Sequence, residues 1–123
     1  MEVLIIDGAN VVGSRPDGWW RDRPGAARSL HEKLSTAGLP QNEVVLLLEG
    51  EARSGVHAGQ MGHIRTVHAA GSGDDAIVDE MVKQLGVGDG RAVIVVTADR
   101  KLRDRIEAVG ASTKGPKWLL HQL

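Results

Sequence analysis

The pattern of apolar and polar positions divides the chain into short apolar runs and longer amphipathic segments. Three runs are continuously apolar, VLII at 3–6, VVLLL at 44–48 and AVIVV at 92–96. Such runs are typical of parallel strands that are buried on both faces of a sheet. A shorter segment, IRTVHA at 64–69, predicts a fourth strand.

Helical periodicity separates these strands in three places. The first helix is predicted to begin near Pro24 and to end before Gly38, the second reads DDAIVDEMVKQL and ends at Gly86, and the third follows Asp99. Apolar stripes are predicted at Ile77, Val78, Met81, Val82 and Leu85 in the second helix, and at Leu102, Ile106 and Val109 in the third. Residues 51–63 are glycine-rich and aperiodic, which predicts a mobile loop, and residues 115–123 predict a brief turn or helix. Strands that alternate with helices indicate one α/β domain over residues 1–123, with a mostly parallel central sheet flanked by helices.

An acidic side chain follows each of the three long strands. Asp7 comes directly after the first, Glu49 directly after the second, and Asp99 shortly after the third. The carboxyl ends of parallel strands meet at one edge of the sheet, where ligands bind in such folds. Asp74 begins the second helix and projects in the direction of its apolar stripe, with Asp75 at the rim of that stripe. We therefore expect these carboxylates to converge.

Each acid also has a local explanation. Asp7 could close a turn, Asp74 and Asp75 follow Ser72 in the order of a capping box, and Asp99 is a good N-cap. As a group they are harder to explain, because like charges held close together destabilise a fold unless a cation intervenes. Carboxylate ligands favour Mg²⁺ or Mn²⁺. A cation of that kind suits hydrolysis of a phosphodiester by in-line attack of a metal-activated water.

Composition excludes several other classes of protein. The chain has no cysteine, which rules out disulfides, cysteine-ligated zinc, iron–sulfur clusters and thiol catalysis. It has no apolar run long enough for a signal peptide or a membrane span, so a cytoplasmic location without membrane association is expected. The net charge of −1 gives no general sign of nucleic-acid binding. Basic residues nevertheless gather in two segments, Arg15, Arg21, Arg23 and Arg28 near the start and Arg100, Lys101, Arg103, Arg105, Lys114 and Lys117 near the end. These segments either hold phosphates or form solvated faces.

Two adjacent tryptophans, Trp19 and Trp20, lie close in sequence to Arg15, Arg21 and Arg23. Aromatic rings beside arginines can stack on unpaired bases. The alternative is that one or both rings pack beneath the start of the first predicted helix.

Three motifs together resemble the PIN-like nucleases, and more narrowly the NYN-domain branch found in small bacterial ribonucleases. They are DGAN after the first strand, GSGDDAIV at the second helix, and VTADRKLR at the third long strand. The resemblance covers the chain from about residue 2 to Trp118. It implies a three-layer Rossmann-like fold and cleavage of RNA with Mg²⁺ or Mn²⁺ that leaves a 5′-phosphate. RNA is then the expected partner, with the ribosome or other RNA-processing machinery as a further candidate, and both a monomer and a homodimer remain open.

The resemblance also implies a role for each residue that matches its motifs. Asp7 would be the central metal ligand, with Asn10 orienting substrate or a ligand beside it. The other matches are the paired acids Asp74 and Asp75, the late acid Asp99, and Thr97 as its hydrogen-bonding neighbour. Side chains expected to contact RNA are Asn10, Thr97, Arg15, Trp20, Arg21, Arg100, Lys101 and Arg103.

The chain departs from the family pattern at two positions. Glu49 stands where members often carry Asp, so its longer side chain either binds the metal or supports the residues that do. Lys101 stands where some flap-endonuclease relatives have a further acid, which leaves open whether the site holds one metal or two.

A metal-dependent ribonuclease, acting as an endonuclease, is therefore the leading interpretation. A catalytically inactive PIN-like module that binds RNA or docks a protein is the alternative, although a mere binder of polyanions has no use for converging negative charges. A phosphatase of the haloacid-dehalogenase type needs a second Asp two positions after Asp7, where Ala9 stands.

Overall fold

A computed structural model describes residues 1–123 as one six-stranded sheet with helices on both faces. The strands are β1 (Glu2–Asp7), β2 (Glu43–Leu48), β3 (Gly59–Met61), β4 (Ile64–His68), β5 (Ala92–Val96) and β6 (Ser112–Lys114). They lie in the order β3-β4-β2-β1-β5-β6, and every neighbouring pair is parallel except β3 with β4. The predicted α/β fold with a mostly parallel sheet is confirmed.

Five helices and two 3₁₀ turns connect the strands. The helices are α1 (Gly8–Gly13), α2 (Arg23–Thr36), α3 (Gly73–Leu85), α4 (Arg100–Ala108) and α5 (Pro116–Leu120), and the turns are Trp19–Arg21 and Gly50–Gly55. Each of the three longer helices is preceded by a residue whose side chain accepts a backbone N–H of the first turn. These N-cap residues are Asp22 for α2, Ser72 for α3 and Asp99 for α4. None of the helices combines the length and the apolarity that a membrane span requires.

The central strand shows why the fold has three layers. Alternate side chains of β1 point to opposite faces of the sheet, because successive strand residues alternate. Val3 and Ile5 belong to an apolar cluster with residues of α3 and α4, whereas Leu4 and Ile6 belong to a second cluster with residues of α1, α2 and α5. The continuous apolar run VLII is therefore a strand covered on both sides.

The predicted mobile loop at 51–63 is wrong. The segment contains a 3₁₀ turn and the strand β3, which pairs antiparallel with β4 through Gly59, Gln60 and Met61. All three residues of β3 are exposed, so the strand depends on backbone pairing and carries no apolar pattern. The short strand β6 lacks an apolar signal for a similar reason.

The predicted apolar stripes of α3 and α4 are also wrong in part. Val82 and Val109 are 55% and 51% exposed. The face of α3 that is buried consists of Gly73, Ile77, Glu80, Met81 and Gln84, which follow regular helical spacing. Two of these side chains are polar, and they are tolerated there because Glu80 accepts hydrogen bonds from Arg65 and from Gln84. A prediction from hydrophobicity alone therefore assigned Val82 to the buried face of α3 and left out Glu80 and Gln84.

Candidate active site

The central strand β1 ends in a buried carboxylate, Asp7, whose residue surface is only 5% exposed. Asp7 also caps α1, because its Oδ1 atom accepts the backbone N–H of Asn10 at 3.3 Å. Its Oδ2 atom accepts the side-chain amide of Asn10 at 2.8 Å and the hydroxyl of Thr97 at 2.9 Å. Three donors thus fix the orientation of this carboxylate.

Asn10 and Thr97 tie the end of β1 to the segment that follows β5. The Oδ1 atom of Asn10 accepts the backbone N–H of Ala98 at 3.2 Å, and the hydroxyl of Thr97 accepts that of Asp99 at 3.2 Å. Thr97 is fully buried, so its contacts are with Asp7 and Asp99 and not with a ligand at the surface. Both polar residues therefore act on the geometry of the two acids.

The remaining acids lie at the starts of helices or at the end of β2. Asp99 caps α4 through the N–H of Leu102 at 3.0 Å. Glu49 follows β2, and its Oε2 atom accepts the N–H of Gly73 at 2.9 Å. Asp74 is half-buried in the first turn of α3, whereas the side chain of Asp75 is 72% exposed and lies 3.6 Å from Arg105. We call Asp7, Glu49, Asp74, Asp75 and Asp99 the acidic rim.

The pKa shifts of Asp7 and Asp74 show which acids lie within range of one another's charge. Burial raises the pKa of Asp7 and repulsion from Asp74 adds to the rise, while the hydrogen bonds from Thr97 and Asn10 oppose it. The pKa of Asp74 is also raised, first by burial and then by repulsion from Asp99, Glu49 and Asp75, against the attraction of Arg105. The negative charges of the rim therefore act on one another, most directly through Asp74.

The acidic rim suits a cation that has only one or two protein ligands and takes its other ligands from water and substrate. No three acidic or histidine side chains lie close enough together to hold one metal ion between them. Mg²⁺ commonly keeps several waters and is bound through one or two carboxylates together with phosphate oxygens of a substrate. Because the rim offers carboxylates and no sulfur or imidazole, its chemistry fits a hard divalent cation of this kind.

The predicted RNA-contacting side chains differ in their exposure. Arg15, Arg21, Arg100 and Lys101 are exposed, and the last two begin α4 directly after Asp99. Arg103 is half-buried and donates to the hydroxyl of Thr113 at 3.2 Å, which turns it toward β6.

The two tryptophans have different environments. Trp20 is 53% exposed, and the guanidinium of Arg21 lies 5.8 Å from its ring centre. Trp19 is half-buried, meets Trp20 edge to face at 6.1 Å, and has the guanidinium of Arg23 5.1 Å from its ring centre.

Two glycines at the rim allow other parts of the chain to approach closely, and the sequence analysis did not predict this role for them. A Cβ atom on Gly8 would lie 2.7 Å from the carbonyl oxygen of Leu47, and one on Gly73 would lie 2.7 Å from Glu49 Oε2. The glycines of DGAN and GSGDD were the available signals for this packing.

The raised pKa values predict how stability depends on pH in the absence of metal. A carboxyl group with a folded-state pKa above its unfolded value binds protons more tightly when folded, so its contribution to stability falls as the pH rises through the raised pKa. For Asp7 and Asp74, the pH range over which this stability is lost begins near 3.8, the ordinary pKa of an aspartate, and extends upward. In EDTA we expect Asp74→Asn to match the wild type near pH 4 and to exceed it in stability at pH 7, as measured by urea unfolding.

A matched control is Asp79→Asn, which changes an exposed acid on the same helix. The low pKa of Asp89, about 2 because Arg91 donates to it, affects all three proteins equally. If Asp74→Asn were less stable than the wild type at pH 7, the repulsion at the rim would be refuted.

The fold and the rim define an α/β protein with an acidic edge at the carboxyl end of its parallel strands. No family model and no curated protein matches the chain. Among solved structures it is similar to Rae1 (YacP) from Bacillus subtilis, at 18% identity and a TM-score of 0.69 over 98% of this chain and 72% of that one. It is also similar to the W164L mutant of that protein, at 19% identity and a TM-score of 0.67 over 98% and 74% of the two chains. The likeness establishes the fold along nearly the whole chain.

Proposed function

We propose that the protein is a divalent-metal-dependent ribonuclease of the NYN type that cuts RNA internally. The observation that carries this proposal is Asp7, a buried carboxylate that is held by three donors while its neighbour Asp74 repels it. Such an arrangement costs stability in the free protein, and a bound cation would relieve the cost. The fold shared with Rae1 supports the proposal at the level of architecture.

Two of the carboxylates Asp7, Asp74 and Asp99 would hold the cation, Mg²⁺ or Mn²⁺, together with waters and phosphate oxygens, with Asp75 and Glu49 beside them. The ion would supply Lewis-acid stabilisation of the phosphate and acidify a nearby water. The chain's own residues would prepare the rest of the site. Asn10 and Thr97 keep Asp7 oriented and favour its ionised form, because both donate hydrogen bonds to it.

Asp74 is suited to accept the proton of the attacking water at a carboxylate oxygen. It plays this part where Asp7 and Asp99 are the two that bind the cation, because it is half-buried and its charge acts on both of theirs. Arg100 and Lys101 are exposed at the start of α4 and would bind phosphates of the RNA. The phosphodiester would then lie between positive charge on α4 and the cation at the rim.

Further parts of the proposal concern the setting of the reaction. We expect residues 1–123 to act as one domain in the cytoplasm, on single-stranded or structured RNA. The ribosome or other RNA-processing machinery would be the partner that presents this RNA.

A catalytically inactive RNA-binding or protein-docking module is the second candidate. The observation that favours it is the spacing of the acids, since no three of them meet around one point. A module of this kind would keep the basic surface of α4 and lack turnover.

The proposal is tested by incubating the protein with labelled single-stranded and hairpin RNA in Mn²⁺, Mg²⁺ or EDTA. We expect internal cuts with 5′-phosphate ends in the metal-containing samples and none in EDTA. RNA binding without cleavage in either metal would establish the inactive module instead. A parallel assay with a small phosphomonoester checks for phosphatase activity, which we expect to be absent.

A further inference from the structure

A cleft adjoins the acidic rim and is not used by the chemistry described above. It has a volume of about 390 Å³, which lies in the range of pockets that bind small planar ligands. We call it the Trp19 cleft, and the residues of its wall that matter here are Gly8, Ala9, Trp19, Arg23, Glu49 and Ala52. It shares Glu49 with the rim, and Gly8 directly follows Asp7.

The lining of the Trp19 cleft combines small residues with flat side chains. Gly8, Ala9 and Ala52 contribute no more than a methyl group each, which leaves space between α1 and the turn after β2. Trp19 and Arg23 contribute an indole and a guanidinium, with 5.1 Å between the guanidinium carbon and the ring centre. Both groups stack on the faces of nucleobases.

Glu49 gives the cleft a specific polar group. Its Oε2 atom accepts the N–H of Gly73, and Oε1 accepts no hydrogen bond within the protein. A carboxylate oxygen can accept only from a donor. Cytosine, adenine and guanine present an exocyclic amino group, whereas uracil presents only the N–H of its ring, so Oε1 would favour an amino-bearing base over uracil.

We propose that the Trp19 cleft binds one unpaired nucleobase of the RNA, with Glu49 accepting from its amino group. The inference rests on the proposed function, because it places this base next to the phosphodiester that lies at the rim. The cleft thereby restricts cleavage to unpaired RNA and selects the nucleotide beside the cut.

The test measures binding in EDTA, where the proposed function predicts no cleavage. The probe is a short oligouridine with one internal 2-aminopurine, a fluorescent base that carries an amino group and loses emission when it stacks. We expect the wild type to quench this emission. It should bind the same oligonucleotide with an abasic site in place of the base about tenfold more weakly.

Two variants fill the cleft from opposite walls, Ala52→Leu from the turn after β2 and Ala9→Leu from the exposed side of α1. Both should abolish quenching and bind the two oligonucleotides equally. The matched control is Ala92→Leu, the same change at an exposed position at the start of β5. It should behave as the wild type. If one filled variant fails to fold by circular dichroism, the other decides.

Glu49→Gln tests the polar selection. Its amide can still accept from Gly73, and its NH₂ group offers a donor where the carboxylate had an acceptor. We expect the preference for an amino-bearing base over uracil to fall by about tenfold in the same binding assay.

Quenching that survives in both filled variants, or that is absent in the wild type, would overturn the inference. Failure of the proposed function looks different: quenching would follow the expected pattern while no metal produced any cuts. Cleavage that ignores the abasic substitution would instead preserve the nuclease and refute the cleft. If the wild type bound none of the oligonucleotides, binding of RNA itself would be refuted, and a protein partner would be favoured.

Discussion

Asp7→Asn is expected to lower the rate of RNA cleavage by roughly 100- to 1000-fold while changing the stability in EDTA by about 1 kcal/mol or less. The rate falls because the amide removes the negative charge that would hold the cation. Two contributions to the stability oppose each other: the amide avoids the desolvation and the repulsion from Asp74 that raise the pKa of the carboxylate, but its NH₂ group faces a donor where the carboxylate accepted a hydrogen bond. Cleavage of labelled RNA in Mn²⁺ and thermal unfolding in EDTA measure the two effects.

Metal binding gives this prediction a second readout. A ligand that binds only the folded state raises the free energy of unfolding by RT ln(1 + c/Kd), where c is the free ligand concentration, so the unfolding temperature rises with the affinity and the concentration of the ligand. We expect Mn²⁺ to stabilise the wild type and to stabilise Asp7→Asn much less. Asp79→Asn, at an exposed position of α3, should retain both cleavage and the response to Mn²⁺. Cleavage by Asp7→Asn within about threefold of the wild type would remove Asp7 from the mechanism.

The positions of the acids were predictable because they depend on topology. Asp7, Glu49 and Asp99 each follow a buried parallel strand, and the carboxyl ends of such strands must lie at one edge. The repulsion of Asp74 by Asp99 and Glu49 agrees with that placement. The spacing along the chain thus predicted the shared edge, whereas the distances between the carboxylates, no three of which could hold one metal ion, depend on side-chain detail.

Individual side-chain directions were not predictable in the same way. Asp75 lies one residue from Asp74, yet it is directed to solvent and to Arg105 on α4. That contact depends on how α3 packs against α4, which the local sequence does not specify. The Trp19 cleft was not predictable for a related reason, because its walls come from α1, the Trp19–Arg21 turn, α2 and the turn after β2.

Helix α1 shows how tertiary structure can override local preference. Its six residues, GANVVG, combine two glycines and two β-branched valines, all of which are poor helix formers. The helix forms because Asp7 caps its first turn and Val11 is buried in the cluster that covers the sheet. The carboxylate predicted as a metal ligand is therefore also a local structural element.

A large effect on stability is expected far from the rim, at the ion pair between Arg65 and Glu80. Glu80 is 4% exposed and accepts hydrogen bonds from Arg65 and from Gln84, the latter at 3.1 Å. Arg65→Ala leaves this carboxylate without its cation, which for a fully buried pair costs roughly 3–5 kcal/mol. Because the Arg65 side chain is 37% exposed, water screens part of the loss, and we expect about 2 kcal/mol. For a chain of this length that is a fall of about 8 °C in the unfolding temperature.

Second-site variants separate the loss of the ion pair from the loss of the Arg65 side chain itself. Glu80→Gln introduced into Arg65→Ala should recover most of the lost stability, because it removes the buried charge that the alanine left unpaired. Replacing both partners by apolar residues, Arg65→Met with Glu80→Leu, should fall within about 1 kcal/mol of the wild type, since a buried ion pair and an apolar pair of similar volume are often equivalent. An Arg65→Ala variant that Glu80→Gln fails to rescue would mean that Arg65 stabilises the sheet by packing and not by charge. In every one of these variants, RNA cleavage per folded molecule should remain that of the wild type, because the pair lies on β4 and on the inner face of α3, away from the acidic rim.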